Sequence, residues 1–153
     1  MVTFRYYVGR LRFLDEEYEL AEESLASALA SAPASAPANQ ERILVYLVPA
    51  RMLRGVRPSA ALLGAFPRIS ALYSGVIAAY SRGDVRAYDA ALAAADRTFV
   101  GLGVYLALER ARAEAADLRE RLANVEAARD EARRDVERDL AATRRELARL
   151  EGE

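Results

Sequence analysis

Residues 43–67 read ILVYLVPARMLRGVRPSAALLGAFP, and the burial that this stretch demands decides how the rest of the chain folds. Its first eight residues carry no charge, so they have no side suited to solvent and belong in the interior. Periodicity alone allows either a buried strand or a buried helix here. The flanks favour a helix over residues 41–53, because Asn39 can cap its start and Glu41 places a carboxylate in its first turn. Pro49 would then remove one main-chain hydrogen bond and bend that helix.

The second half of the stretch predicts a turn followed by a short helix. Arg57 and Pro58 are typical of a turn, and Ser59 is placed to cap the helix that follows. Phe66 and Pro67 are expected to end this helix, because the residue before a proline disfavours the helical conformation.

Apolar residues at helical spacing predict a helical hairpin at the N-terminus. Gly9 would cost about 1 kcal/mol relative to alanine inside the first helix, so we expect a second helix to cross it closely. Asp15 is expected to cap that second helix, and residues 31–38 to form a loop after it. The first helix would share the face Phe4, Tyr7, Val8 and Leu11, and the second the face Tyr18, Ala21, Leu25, Ala28 and Leu29. Two such antiparallel helices make a TPR-like hairpin.

Further helices are predicted after residue 67. Gly83 is placed to end one of them in the left-handed conformation, Asp84 to cap the next, and Thr98 to start the last. The first of these helices would bury Ile69, Leu72, Tyr73, Val76, Ile77 and Tyr80, and the second Val85, Tyr88 and Leu92. We interpret the tyrosines at this spacing (Tyr73, Tyr80, Tyr88 and Tyr105) as core packing rather than a platform that stacks bases.

The residue types that are missing exclude much of enzyme chemistry. The chain has 153 residues, enough for one domain or a domain with a tail, and contains no cysteine, histidine or lysine. It therefore has no thiolate nucleophile, imidazole base, Schiff-base lysine or Cys/His zinc site. Carboxylates cluster at Glu22-Glu23 and at residues 15–17, where helix capping and solvation explain them, although such clusters leave magnesium binding open. We expect no enzyme, no catalytic residue, no cofactor and no metal site.

Charge and hydropathy limit the compartment and the partners. The net charge of −1 gives no indication of a nucleic-acid partner. No apolar run approaches the roughly 18 residues of a membrane span, and the sequence starts MVTFR, without the apolar segment of a signal peptide. We expect an intracellular protein with no membrane contact.

Six short motifs in a fixed order resemble a known family. They are YYVGR at 6–10, AEESL at 21–25, ILVYLVP at 43–49, PSAALLGAFPRI at 58–69, GDVRAYDAAL at 83–92 and GVYLALE at 103–109. This pattern is similar to the PCI-domain subunits of the nuclear transcription-export complex and to their relatives attached to the signalosome. The resemblance covers roughly residues 4–110.

The resemblance implies a fold, a function and partners. The fold would be all-α, with the TPR-like helical repeats of a PCI domain over residues 1–112 and a long, charged C-terminal helix over residues 113–153. The function would be that of a non-catalytic scaffold subunit in transcription-coupled mRNA export, acting in the nucleus, with the cytoplasm as a further location. Its partners would be a larger PCI-containing scaffold subunit and a small acidic protein. The family has further repeats before the YYVGR helix, so we expect the face of Phe4, Tyr7 and Leu11 to bind a partner or a second copy.

Nucleic-acid binding is not implied by this chain. The family continues after its last motif into a winged helix, whereas here the sequence becomes ARAEAADLRERLANVEAARDEARRDVERDLAATRRELARLEGE. The densest arginine group outside this tail is Arg51, Arg54, Arg57 and Arg68. We interpret it as a solvated face first, and as a contact for phosphate or an acidic partner second.

The tail has the spacing of a coiled coil. The predicted seam contains Leu118, Leu122, Val125, Val136, Leu147 and Leu150, with Arg129 and Ala132 as poorer members and one slip at Leu140. A two-stranded coiled coil and a single solvated helix are both open at this point. The first would make the chain a stand-alone adaptor that self-associates as a homodimer, which is the alternative function, next to that of a signalosome-associated subunit.

Overall fold

The structure, a computed structural model, describes residues 1–151, except for the side chains of Leu118 and Glu151. The described residues form eight α-helices and no strand, so the predicted all-α class is confirmed. The helices are α1 (Val2–Leu14), α2 (Tyr18–Ser31), α3 (Pro37–Met52), α4 (Ala60–Ala65), α5 (Pro67–Arg82), α6 (Val85–Ala94), α7 (Asp96–Leu102) and α8 (Tyr105–Glu151). The chain divides into two compact units, residues 1–117 and residues 118–153.

The first unit is built from consecutive helices that pack on their neighbours. Helix α1 pairs with α2, α2 packs on α3, and α5 pairs with α6. The α1–α2 crossing is close because Gly9 has no side chain. A Cβ atom added at Gly9 would lie 2.7 Å from Cγ of Leu25, so the close crossing predicted from this glycine is confirmed.

Helix α3 runs through the centre of the first unit. Its buried residues surround the helix on every side, which is why its sequence has no polar face. They are Ile43, Leu44, Tyr46, Leu47, Val48, Pro49, Ala50 and Met52. The stretch is therefore a buried helix rather than a buried strand, as the flanking residues indicated.

The proline inside α3 leaves a partly buried main-chain acceptor, to which a side chain of another helix donates. Pro49 has no N–H group, so the carbonyl of Val45, one turn earlier, loses its usual donor. The hydroxyl of Tyr73 on α5 donates to this carbonyl at 2.5 Å. Burial of Tyr73 raises the pKa of its phenol, which keeps the hydroxyl protonated and able to donate.

The tyrosine spacing is confirmed as core packing. Tyr73, Tyr80 and Tyr88 are buried, and the Tyr105 side chain is partly buried. The hydroxyl of Tyr80 donates to the carbonyl of Met52 at 2.7 Å, and that of Tyr88 to the carbonyl of Leu108 at 2.6 Å. Tyr73, Tyr80 and Tyr88 thus bind main-chain carbonyls from inside the core, so these three rings are not a platform that stacks bases.

Several predicted helix ends are confirmed. The Ser59 side chain accepts a hydrogen bond from the N–H of Leu62, and the Asp84 side chain accepts one from the N–H of Ala87. Gly83 ends α5 with a φ of 62°, the left-handed conformation that glycine adopts without strain.

Three predicted helix starts are wrong. Asp15 does not cap α2, because its N–H bonds to the carbonyl of Leu11 and so continues α1, and α2 begins at Tyr18. Asn39 is not a cap either, because α3 already begins at Pro37, which also shortens the preceding loop to residues 32–36. Thr98 does not start the last helix.

Gly103 is the reason why the last helix does not start at Thr98. Thr98 lies within the short helix α7, which Gly103 ends with a φ of 76°. The last helix, α8, starts afresh at Tyr105. A left-handed glycine therefore separates two helices where the sequence indicated one.

The second unit is made of the distal part of α8. From residue 119 to residue 150 every described side chain is exposed. Among the residues that the structure describes, no helix combines the length and the apolar character needed to cross a bilayer.

The contact between Tyr73 and α3 gives a first prediction. Tyr73→Phe should lower the free energy of unfolding by about 1–3 kcal/mol, because the partly buried Val45 carbonyl is left without a donor. In a Pro49→Ala background the same change should cost less, since an alanine at position 49 has an N–H group that can reach that carbonyl. Urea unfolding of the four proteins of this cycle measures the coupling.

Tyr80→Phe serves as the control for this cycle. The carbonyl of Met52 also accepts from the N–H of Gly55 at 3.1 Å, so the cost of losing the Tyr80 hydroxyl should not depend on residue 49. An equal cost of Tyr73→Phe with proline and with alanine at position 49 would contradict the assigned role.

The α1–α2 crossing gives a second prediction. Gly9→Ala should lower the free energy of unfolding by about 1–3 kcal/mol despite the better helix propensity of alanine, because the new methyl group overlaps Leu25. Gly101→Ala in α7 is the matched control, since nothing lies within 4 Å of its added Cβ atom. The control should be neutral or stabilising in the same thermal unfolding measurement, and a neutral Gly9→Ala would refute the close crossing.

Candidate docking surfaces

An apolar stripe runs along the outer side of α1. Phe4 is 71% exposed, Tyr7 58%, Leu11 62% and Leu14 48%. Their spacing of three, four and three residues places all four on one side of the helix. We call this surface the α1 stripe. It contains the three residues that the sequence indicated as partner-binding, and the structure brings them together.

The opposite side of α1 is fixed to the core, so the stripe is held in place. Phe13 is buried and packs edge-on against Tyr46 of α3, with ring centroids 5.4 Å apart. The Nε of Arg10 donates to the hydroxyl of Tyr46 at 3.0 Å. Arg5 and Arg12 donate to serine hydroxyls on α2, at 2.8 Å and 3.0 Å. Docking on the stripe would therefore require little ordering of α1 itself.

A shallow cavity lies beside the N-terminal end of the stripe. Its volume is 130 Å³, and it is lined by Val2, Tyr6 and Tyr7 of α1 and by Asn39, Arg42 and Ile43 of α3. Tyr7 belongs to both the cavity and the stripe. The cavity extends the apolar surface and adds an arginine and an amide at its edge, as in protein–protein interfaces with an apolar centre and a polar rim.

The four arginines of the predicted group are divided among different partners. The carboxylate of Glu22 on α2 receives Arg51 at 3.3 Å and Arg54 at 2.6 Å, and its side chain is only 15% exposed. Arg68 lies 3.9 Å from Glu41. Arg57 is exposed in the segment between α3 and α4. Two of the four charges thus join α3 and the segment directly after it to α2, which leaves less positive charge for an outside partner.

The hydrogen bond with Glu22 also affects the Arg54 guanidinium. It raises the pKa of Arg54, so this charge is present at every accessible pH. The ion pair joins two residues that lie 32 positions apart in the sequence.

Of the acidic residues that were considered for chemistry, Glu16 forms an ion pair as Glu22 does, and so does Asp89, which the sequence did not indicate. Glu16, in the turn between α1 and α2, accepts from Arg110 at 2.5 Å. Asp89 of α6 is bound by Arg112, and this hydrogen bond lowers the pKa of the Asp89 carboxyl. Within residues 1–151, no group of three Asp, Glu, His or Cys side chains is arranged to hold a metal ion.

A second apolar stripe lies in the distal part of α8. Leu122 is 62% exposed, Val125 66% and Val136 66%, and Leu147 and Leu150 are 53% and 59% exposed. Leu118, the first residue of the predicted seam, lies outside the described side chains. Leu140, the position of the slip, is 50% exposed and belongs to the same series.

Sequence reasoning missed two features of these surfaces. Leu14 extends the α1 stripe by one more step of three residues, a signal that was present in the sequence. Glu22 as the partner of Arg51 and Arg54 had no such signal, because 29 and 32 residues separate the members of the two pairs. Only the packing of α2 on α3 brings these groups together.

The sequence of the chain is similar to those of known proteins. No family model matches the chain. Its relatives are PCI-domain proteins, so the resemblance indicated by the six motifs is confirmed at that level.

Particular relatives are named as follows. The "Protein CSN12 homolog" of Mycosarcoma maydis is 44% identical over 116 residues, covering 72% of this chain and 26% of the relative. The protein of the same name from Neurospora crassa is 41% identical over 112 residues, covering 72% and 25%. "PCI domain-containing protein 2" of Danio rerio is 33% identical over 109 residues, covering 71% and 27%. The chain thus spans about a quarter of the length of the curated relatives that it matches.

The Glu22 ion pairs give a third prediction. Glu22→Gln should lower the free energy of unfolding by up to about 1 kcal/mol, because two guanidinium groups lose their shared anionic partner. The difference should shrink in high salt, which screens these partly exposed charges. Thermal unfolding at low and high salt checks both statements.

Glu23→Gln is the matched control, since Glu23 is the exposed neighbour of Glu22 on the same helix. If the two variants unfold at the same temperature in low salt, Glu22 does not join α2 to α3 as described.

Proposed function

We propose that this chain is a non-catalytic scaffold module that docks a helical-repeat partner on its α1 stripe. The observation that carries the proposal is the exposure of Phe4, Tyr7, Leu11 and Leu14 along one side of a helix whose other side is packed on the core. Helical-repeat proteins bury each repeat against the next one, and a repeat that ends a stack usually has a polar outer face. The outer face of α1 is apolar, which is the pattern of an internal repeat that has a neighbour.

The kind of partner follows from the same surface. A helix laid along α1 would meet an apolar centre, with an arginine and an amide at the rim of the adjoining cavity. This surface suits the apolar face of an amphipathic helix with acidic residues at its edges. A larger PCI-containing scaffold subunit would supply such a helix from its own repeats.

For the biological setting, we favour transcription-coupled mRNA export in the nucleus. The support is the order of the six motifs, which resembles the PCI subunits of the export complex, and the similarity to proteins named "PCI domain-containing protein 2". In that setting the small acidic protein of the complex is the second partner. Nucleic acid would be contacted by other subunits, since two of the four grouped arginines already bind Glu22.

A second setting has its own support. Several of the relatives, at 35–44% identity, are named "Protein CSN12 homolog". Together with the resemblance to subunits attached to the signalosome, these names favour a scaffold role in a signalosome-type assembly. The docking surface would be the same, and the identity of the larger PCI partner would differ.

Co-purification tests the docking surface and the setting together. We would express the tagged chain in cells of its source organism and identify the proteins retained on it. Wild type should retain a larger PCI-containing subunit, and Phe4→Glu combined with Leu11→Glu should reduce its recovery at least about 100-fold, because two buried apolar contacts become buried charges.

Val56→Glu is the control, since Val56 is also exposed but lies in the segment after α3. It should leave recovery unchanged, and circular dichroism should show equal helix content in all three proteins. Export-complex subunits in the retained fraction would support the first setting, and signalosome subunits the second. If the double variant retains the PCI-containing subunit as well as wild type does, the α1 stripe is not the docking surface. If wild type retains no PCI-containing protein, the proposed function is wrong.

A further inference from the structure

The exposed seam positions on the distal part of α8, which are seven apolar residues together with Arg129 and Thr143, form a series that is symmetric about one residue. Counting from Val136 towards the N-terminus, its members lie four, three, four and three residues apart, and the same steps recur towards the C-terminus. The series is Leu122, Val125, Arg129, Ala132, Val136, Leu140, Thr143, Leu147 and Leu150. The step of four from Val136 to Leu140, which interrupts the heptad spacing, therefore mirrors the step of four from Ala132 to Val136.

This symmetry distinguishes the two ways in which two copies of the helix can pair. A parallel pair in register places each residue beside its own copy. Arg129 would then meet Arg129 of the other copy within the apolar seam. An antiparallel pair with its two-fold axis at Val136 places residues at equal distances from the axis side by side. Because the spacing is the same in both directions, every member of the series then meets another member.

We propose that residues 122–150 bind the same segment of a second copy of this chain, as an antiparallel two-stranded coiled coil with its two-fold axis at Val136. The apolar layers are Leu122 with Leu150, Val125 with Leu147, Ala132 with Leu140, and Val136 with itself. The segment is about 42 Å long, which is sufficient for a coiled coil of about four heptads.

The weak members of the series are accommodated in this arrangement. Ala132, a poor knob, lies opposite Leu140, so a small side chain faces a large one. Arg129 lies opposite Thr143, where its aliphatic stem can cover the seam while its guanidinium reaches solvent. The like-charge contact that opposes the parallel pair is absent.

Charges beside the seam favour the same pairing. On one flank Glu126 of one copy lies opposite Arg144 of the other, and symmetry repeats this pair. Arg133 lies opposite Glu137 of the other copy and also binds Glu137 of its own helix at 3.0 Å. On the other flank Asp135 and Asp139 approach each other, but Asp135 is already bound by Arg138 of its own helix. The step of four on each side of Val136 gives an 11-residue repeat from Arg129 to Leu140, which locally unwinds the left-handed supercoil.

Disulfide trapping tests the orientation, since the chain contains no cysteine of its own. Three single-cysteine variants of the full chain are used: Ala132→Cys, Leu140→Cys and Val136→Cys. When the first two are mixed, one of them carrying a mass tag, mild oxidation should give at least about tenfold more of the mixed dimer than of either homodimer, because only the mixed pair faces across the seam. Val136→Cys should cross-link to itself.

Ala127→Cys, on the opposite side of the helix, is the matched control and should not cross-link above background. If Ala132→Cys and Leu140→Cys each cross-link with themselves as readily as with each other, the pairing is parallel and the proposal fails. If Val136→Cys cross-links no more than Ala127→Cys, the segment is a single solvated helix and the proposal also fails.

A charge exchange provides a second measurement that does not depend on cysteine. Glu126→Arg should weaken the dimer at least about threefold in sedimentation equilibrium, and adding Arg144→Glu should restore it. In a parallel pair these positions are about 27 Å apart and would not compensate each other. The test leaves the α1 stripe intact, so failure here leaves the docking proposal standing, and failure of docking leaves the dimer standing.

Discussion

The central position of α3 depends on a hydrogen bond that a side chain of another helix makes to one of its main-chain carbonyls. A helix buried on all sides needs every main-chain acceptor occupied, and Pro49 removes the donor for the Val45 carbonyl. The Tyr73 hydroxyl supplies that donor from α5, and its ring stacks at 5.8 Å on Phe99 of α7. One side chain therefore fixes the relative positions of three helices, and the rest of the first unit packs around them.

A tyrosine hydroxyl also binds the last carbonyl of two helices, α3 and α7. Met52 is the last residue of α3, and its carbonyl accepts from Tyr80. Leu102 ends α7, and its carbonyl accepts from Tyr46 at 3.2 Å. The tyrosine is suited to this role because it combines a large apolar ring for the core with a hydroxyl that reaches a carbonyl. In the described residues no buried side-chain nitrogen or oxygen lacks a hydrogen-bond partner.

The surface of the described residues carries two rows of exposed apolar side chains. The α1 stripe and the series on distal α8 both expose large apolar side chains on a regular spacing. Each has the geometry of a surface that another helix covers, and both lie on helices rather than loops. Such rigid apolar faces are typical of scaffolds that assemble by helix packing, which is the kind of function proposed above.

The sequence by itself determined the all-α class, the burial of α3, the Ser59 and Asp84 caps and the close crossing at Gly9, because these depend on residues near one another in the chain. It also placed Phe4, Tyr7 and Leu11 on one side of α1, although it could not tell whether that side faced the core or solvent. The predicted starts of α2, α3 and α8 at Asp15, Asn39 and Thr98 were wrong, because α1 continues through Asp15, α3 already begins at Pro37, and Gly103 ends a separate helix before α8. Only the tertiary structure decided the partners of Glu22, of the Val45 carbonyl and of Arg110, since these contacts join residues that are distant in sequence, and local spacing carries no information about which helix packs on which.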